Sequence, residues 1–415
     1  MHNCFEKGLA EYGHAVDQLA VDLHSLFKVS AARREDYKSV QLDLDIELHQ
    51  FEQHTNVRWL SLGRCVKRII EQWTGIIQFV AELQKNPKLV PKSVSFNRIV
   101  SATKQENILV QLRFTSFVCS LLDDFLTHFQ SEQPLVHLLY DRMVEMLTSM
   151  MLKFMKADVV REAMTDARKL LSVDVGVVNH LPPDNFYIGE GARTALHHLK
   201  PEAKHRVMMG IRQSFTAMTK YLQTRLPLDN ALLKNLGVLN PDTTIDDTTS
   251  SQAIRHIARK CHLTVEEIDC VQSEWQMYYI EEKPVKQDRV DHYWRQLFNI
   301  KTLGTLKYPT LTKLLKMALI LPHSNADVER SLSVNNRTVT KDKVHLSEEA
   351  IIGLRATKDY VKFSDPVAQR PEQMIITRNI LQSAWHSHSS SFLRLEEKKK
   401  MEQLAAQKKE ETATG

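Results

Sequence analysis

The sequence predicts a mainly α-helical protein, and three observations carry that prediction. Glycine is scarce, 12 of 415 residues, against a typical share of about 7%, so few tight turns are available. Apolar residues recur at steps of three and four along much of the chain, the spacing of one helix face. Hydrophobic residues make up 43% and charged residues 25% of the chain, the balance of an ordinary water-exposed globular protein.

The elements follow in order. Tyr12, Val16, Leu19, Leu23 and Leu26 form the stripe of a helix over 12–27. Ser30 and the charged run 33–36 interrupt it. Val40, Leu42, Leu44, Ile46 and Leu48 alternate with polar residues, a period of two that suits a half-buried strand, with a helix as the alternative. The stretch 55–62 reads as a short strand or turn entering a helix, with Ser61 as its N-cap. Cys65, Ile69, Trp73, Ile76, Val80 and Leu83 supply that helix's face, and Asn86, Pro87 and Pro91 end it.

Two longer helical patterns cover 104–130 and 134–156. The second carries Met143, Met146, Met150, Met151 and Met155. Such a stripe can be a soft binding face, but between two apolar helices it reads as core. Leu181, Pro182, Pro183 and Asp184 mark a loop, and a helix follows over 201–224. The polar segment 240–251 reads as a flexible linker. Helices are expected over 252–261 and 264–279, and a domain boundary near Lys283 and Pro284.

Beyond that boundary, Trp294 reads as a core residue. Leu311, Leu314, Leu315, Ala318 and Leu319 form a core-facing stripe, which Pro322 ends. Ser324 or Asn325 can cap the next helix. That places Glu329 about a turn in, between Val328 and Leu332, with Asp327 favoured by the helix dipole. Ile351 and Leu354 belong to a last helical pattern that ends near Tyr360. The tail 394–411 mixes both charge signs and reads as a solvated helix or a disordered tail.

Composition narrows the function. The net charge of +5 permits nucleic-acid contact without demanding it. The five cysteines, Cys4, Cys65, Cys119, Cys261 and Cys270, are odd in number and widely spaced, so no disulfide framework is expected. No C-x-x-C pair suggests structural zinc. The cluster Cys261, His262, Cys270 reads as buried helical cysteines, with metal binding left open. The first ten residues contain Glu6 and Lys7 and no long apolar run, so they do not read as a secretory signal. No run approaches the ~20 apolar residues of a membrane span.

The segment from Pro322 to Val334, with Ser324, Ala326, Glu329, Arg330 and Ser333, resembles the C-terminal dimerisation region of hAT-family transposases. Thr340, Lys341, Leu346, Ser347, Leu354 and Ala356 continue the resemblance. Arg58-Trp59, followed by Leu60, resembles the family's Arg-Trp motif. His2-Asn3 is similar to the end of its Cys-x-x-His segment. The order of the three features agrees with the family, and together they reach to about Ser364. The resemblance implies a ribonuclease-H-like α/β core interrupted by a large all-helical insertion. The implied divisions are 1–83 for a residual first core segment, 84–283 for the helical insertion, 284–364 for the dimerisation region and 365–415 for a poorly ordered charged tail.

By the same resemblance Glu329 matches the third catalytic carboxylate. Strand transfer on such a core uses two divalent metal ions about 4 Å apart, which one carboxylate cannot hold. The family's two aspartates are expected ahead of residue 1. Asp43, Asp45, Asp123 and Asp124 are possible substitutes, each of which also reads as an ordinary solvated carboxylate. Glu329 is therefore expected to be a vestige, or a buried acid paired with Arg330 or Arg58. The expectation is a catalytically inactive, transposase-derived homo-oligomer, nuclear by resemblance. It would have no cofactor, and Mg²⁺ only if an acidic triad is completed upstream. Its dimerisation or core residues would be Trp294, Leu314, Leu319, Ile320, Val328, Leu332, Ile351 and Leu354. The alternatives are a DNA- or chromatin-binding regulator using Arg58 and Trp59, and a fragment of an active transposase. Trp59 would stack on a displaced base or pack in the core.

Overall fold

The computed structural model describes residues 2–12, 15–54, 60–86, 88–338 and 347–364, with isolated positions beyond. Among them are eighteen α-helices and a single hairpin of two two-residue strands. The protein is mainly α.

The chain opens with α1 (His2–Tyr12), α2 (Ala15–Lys28) and α3 (Ala31–Asp43). Next come α4 (Leu60–Glu71), α5 (Trp73–Lys85), α6 (Val94–Thr103), α7 (Ile108–Phe129), α8 (Val136–Leu152) and α9 (Ala157–Ala163). Short 3-10 turns then lead to α10 (Glu190–His197), α11 (Pro201–Arg225) and α12 (Ala231–Leu236). Further on are α13 (Asp247–Lys260), α14 (Val265–Ile280) and α15 (Val290–Phe298). The hairpin β1 (Lys301–Thr302) and β2 (Thr305–Leu306) precedes α16 (Pro309–Leu319). Last are α17 (Ala326–Thr338) and α18 (Glu348–Ser364).

Local chemistry sets many of these starts. Ser30 accepts from the Arg33 N–H at 3.3 Å to cap α3, and Ser93 accepts from the Phe96 N–H at 3.2 Å to cap α6. Thr264 and Glu267 form a reciprocal capping box on α14. Pro201 and Pro309 occupy first helical positions, where their missing N–H costs nothing.

Four expectations are corrected. The stripe over 12–27 belongs to two helices, since Tyr12 ends α1 and Val16 lies in α2. The segment 40–48 is not a strand: α3 runs through Asp43, and a non-helical stretch follows, with Asp45 at φ 53°. Its carbonyls are taken by side chains rather than by a neighbouring strand. Gln41 Nε2 donates to His49 O at 3.1 Å, and Gln72 Nε2 donates to Glu47 O at 2.9 Å. Ser61 is not an N-cap but the second residue of α4. The polar segment 240–251 is a linker only up to Asp246. The Asp246 carboxylate accepts from the Thr249 N–H at 2.9 Å to cap α13, and buried Ser250 accepts from Trp275 Nε1 at 3.1 Å.

The face Cys65, Ile69, Trp73, Ile76, Val80 and Leu83 is buried as read, but it spans two helices. Buried Gln72 separates them and ties both to α3, bonding Tyr37 Oη at 3.0 Å and Gln41 Nε2 at 2.7 Å. The five methionines of the stripe are all buried. Helix α1 lies close against α11 through two glycines. A Cβ on Gly210 would come within 2.6 Å of the Tyr12 ring, and one on Gly8 within 2.6 Å of Met218.

The chain divides into two compact units, residues 1–327 and 328–415. The first unit holds two apolar cores. One gathers buried residues from Cys4 to Leu228. The other gathers residues from Leu236 to Leu319, together with Val136 of α8. The expected boundary at 283/284 falls between α14 and α15, and both contribute to the second core. There Tyr278 and Trp294 lie 5.2 Å apart, centroid to centroid, and the Tyr278 and Tyr293 hydroxyls meet at 2.7 Å.

Candidate association surface

The second unit is built on α17 and α18. The Ser324 hydroxyl, one of the two expected caps, accepts from the Ala326 N–H at 3.3 Å at the start of α17. Ser347 does the same for the Ala350 N–H at 3.3 Å, and Glu348 and Glu349 favour the positive end of α18. The two helices are joined by one arginine. Arg355 Nη1 donates to Ser331 O at 2.8 Å and to Asn335 Oδ1 at 3.0 Å, and Nη2 donates to the Ser331 hydroxyl. Ser331 and Asn335 are one turn apart, so a single guanidinium reads one face of α17.

The apolar residues of this pair are left outside that contact. Val328 is 59% exposed, Leu332 56%, Ile352 59% and Leu354 51%. Val328 and Leu332 share a face of α17 at i, i+4. Ile351 is half-buried. An isolated exposed apolar side chain is normal; Val328 and Leu332, together on one face of α17, form the kind of patch that association covers, whereas Ile352 and Leu354, two residues apart, lie on different sides of α18.

The remaining candidates divide by burial. Trp294, Leu314 and Leu319 lie in the second core of the first unit, with Leu311, Leu315 and Ala318 beside them. Trp294 Nε1 also donates to Leu239 O at 3.0 Å. The α16 stripe is thus consumed inside the chain and offers no face to a partner. Ile320, one residue past α16, is 79% exposed. It lines a cleft of about 650 Å³ with Phe298, Pro322 and His323. Arg58 and Trp59 lie outside the described residues.

Glu329 is exposed, so it is not a buried acid held by a base. Asp43, Asp45 and Asp124 are exposed as well. Asp123 is half-buried, and burial, with the charge of Asp124, holds its carboxyl above the usual range against the pull of Arg64. Among the described residues no group of three or more His, Cys, Asp or Glu side chains is placed to hold a metal ion. The cysteine expectation is corrected in part: Cys261 is half-buried and Cys270 exposed, whereas Cys4, Cys65 and Cys119 are buried. Burial raises the thiols of Cys4 to about 12 and of Cys65 to about 11, which makes them poor nucleophiles.

Sequence reading missed Arg355 and Ile352. The available signal for Arg355 was the polar pair Ser331 and Asn335 at helical spacing. It also missed three histidines, His128, His137 and His323, each with a shielded ring nitrogen that has no hydrogen-bond partner. His128 and His323 both pack near Phe129, at 5.1 and 5.9 Å between centroids. They come from segments too far apart in sequence for spacing to reveal.

Comparison of the chain with models of protein families, with curated proteins and with solved structures gives no match.

Proposed function

We propose that this chain is a transposase-derived protein that acts without catalysis, by pairing with a second copy of itself through α17 and α18. The observation that carries the reading is the exposed apolar pair Val328 and Leu332 on one face of α17, with Leu354 exposed on α18, a helix already fixed to α17 by Arg355. The same stretch carries the hAT-like sequence, in which the region is one of dimerisation. In this reading 1–83 and the C-terminal helices descend from a ribonuclease-H-like core, and 84–283 from its helical insertion. Glu329 marks ancestry. Two-metal chemistry would require further carboxylates beside it, so no metal cofactor is assigned. The site of action would be the nucleus.

The test uses two differently tagged copies of the full chain expressed together. Wild-type copies are expected to co-purify. Leu332→Asp with Leu354→Asp on both copies should abolish recovery. Recovery unaffected by the paired substitutions, with circular dichroism unchanged, would overturn the assignment of the surface.

A further inference from the structure

We infer that Ser331 is a phosphorylation site, modified by a protein kinase with a nucleoside triphosphate as phosphoryl donor, and that Arg355 holds the phosphate. Every part of the site lies on α17 and α18 of one chain, so the inference stands apart from the pairing proposed above.

The junction of α17 and α18 contains a cation without an anion. Arg355 is half-buried, and its polar contacts are all with neutral acceptors. Nη1 donates to Ser331 O at 2.8 Å and to Asn335 Oδ1 at 3.0 Å, and Nη2 donates to the Ser331 hydroxyl. Arg355 takes part in none of the ion pairs among the described residues. Its Nε is shielded from solvent and has no hydrogen-bond partner. A shielded donor left unpaired is costly, and more so on a charged group. The guanidinium fork matches the oxygens of a phosphate or a carboxylate, and neither is among its contacts.

Ser331 is the group placed to supply that anion, because its hydroxyl already meets the guanidinium. A phosphate there carries about −1.5 to −2 charge at neutral pH and brings three strong acceptor oxygens. One of them can accept from the orphaned Nε–H and another from Nη2. Charge-assisted bonds of this kind are roughly twice as strong as neutral ones, so the phosphate replaces weak contacts by strong ones.

The same helix can expose the hydroxyl to an enzyme. Phosphoryl transfer needs Ser331 Oγ in line with the terminal phosphorus, which the closed junction does not allow. Helix α17 has 13 residues, and Val328 and Leu332 on it are more than half exposed. A helix of that length is marginal without packing, so local opening is easy. In the open form Ser331 Oγ bonds to the terminal phosphorus and the bridging P–O bond breaks. The nucleoside diphosphate leaves, and the hydroxyl proton passes to the kinase's base. On closure the phosphate meets Arg355, and an ion pair then ties α18 to α17.

The full chain with phosphoserine installed at position 331 during translation tests the contact. In a phosphorus NMR titration its last proton should leave at a pH at least about 0.5 below the value near 6 of a free phosphoserine, and Arg355→Gln should remove most of that shift. Amide exchange over 328–338 should slow at least about threefold relative to the unmodified chain, whereas millimolar inorganic phosphate should not slow it. Peptide mass spectrometry of the full chain expressed in eukaryotic cells, with phosphatases inhibited, should find phosphate on Ser331. Titration at the free value, a shift that Arg355→Gln leaves in place, exchange that does not slow, equal protection by inorganic phosphate, or an unmodified Ser331 in cells would each overturn the proposal.

Discussion

The histidine group shows how burial can make single residues pH-sensitive. Burial pushes the His137 imidazole down to about 4, with the charges of His128 and His323 adding to it and Asp242 opposing. His128 is lowered for the same first reason, helped by Arg142 and His323. A solvated imidazole protonates near pH 6.5. Between about pH 6.5 and 4 the unfolded chain therefore binds more protons than the folded one. The stability that depends on neutral His137 is complete above pH 6.5 and is lost as pH falls towards 4, a change on the order of 3 kcal/mol. Urea midpoints should drop on acidification through this window, and His137→Phe should flatten the drop. An equally steep drop in that variant would refute the assignment to His137. Burial also separates the residues of α16. Leu314→Ala should cost about 2–5 kcal/mol, as for other fully buried leucines, whereas Ile320→Ala should change stability by less than about 0.5 kcal/mol. Equal effects in thermal melts would contradict the separation.

At the scale of elements, the sequence was most legible where periodicity was long. The stripes of α7, α8, α11 and α16 fixed those helices to within a few residues. It was least legible where a buried polar side chain decides. The period of two over 40–48 has the spacing of a strand, yet Gln41 and Gln72 satisfy the backbone that a strand partner would otherwise take. Gln72 likewise divides one apolar face between α4 and α5, which no apolar count reveals. Close helix contacts are equally hidden, because a glycine in a helix pattern does not name what lies against it. At Gly210 the neighbour is the Tyr12 ring, buried and stiff. Gly210→Ala should therefore destabilise the protein by about 1–3 kcal/mol, despite alanine's better helix propensity. Denaturant titration measures this, and a stabilised variant would show that the α1–α11 contact yields easily. In the second unit, Arg355→Gln removes the guanidinium that joins α18 to α17. Amide exchange across 328–338 should quicken at least several-fold, with exchange in α16 unchanged. Uniform protection would show that the helices are held by something else.

For the whole molecule, overall helical character could be read directly from composition and spacing. The arrangement of the cores could not. The second core depends on α13, α14, α15 and α16 closing around Trp275 and Tyr278 of α14 and Trp294 of α15, a closure that periodicity within each helix does not reveal. That closure also changes what the C-terminal apolar pattern can do. Leu311, Leu314, Leu315 and Ala318 belong to the chain's own interior. Among the expected association residues and their neighbours, Ile320, Val328, Leu332, Ile352 and Leu354 stay exposed. Burying such a surface against its twin is the simplest closed assembly, a two-fold dimer.

The central claim rests on mass in solution. Light scattering coupled to size-exclusion chromatography at micromolar concentration should give twice the chain mass of 47.9 kDa for the wild type. It should give the single-chain mass for Leu332→Asp with Leu354→Asp. A wild-type protein that elutes as a monomer, or a variant that remains a dimer while folded, would contradict the account.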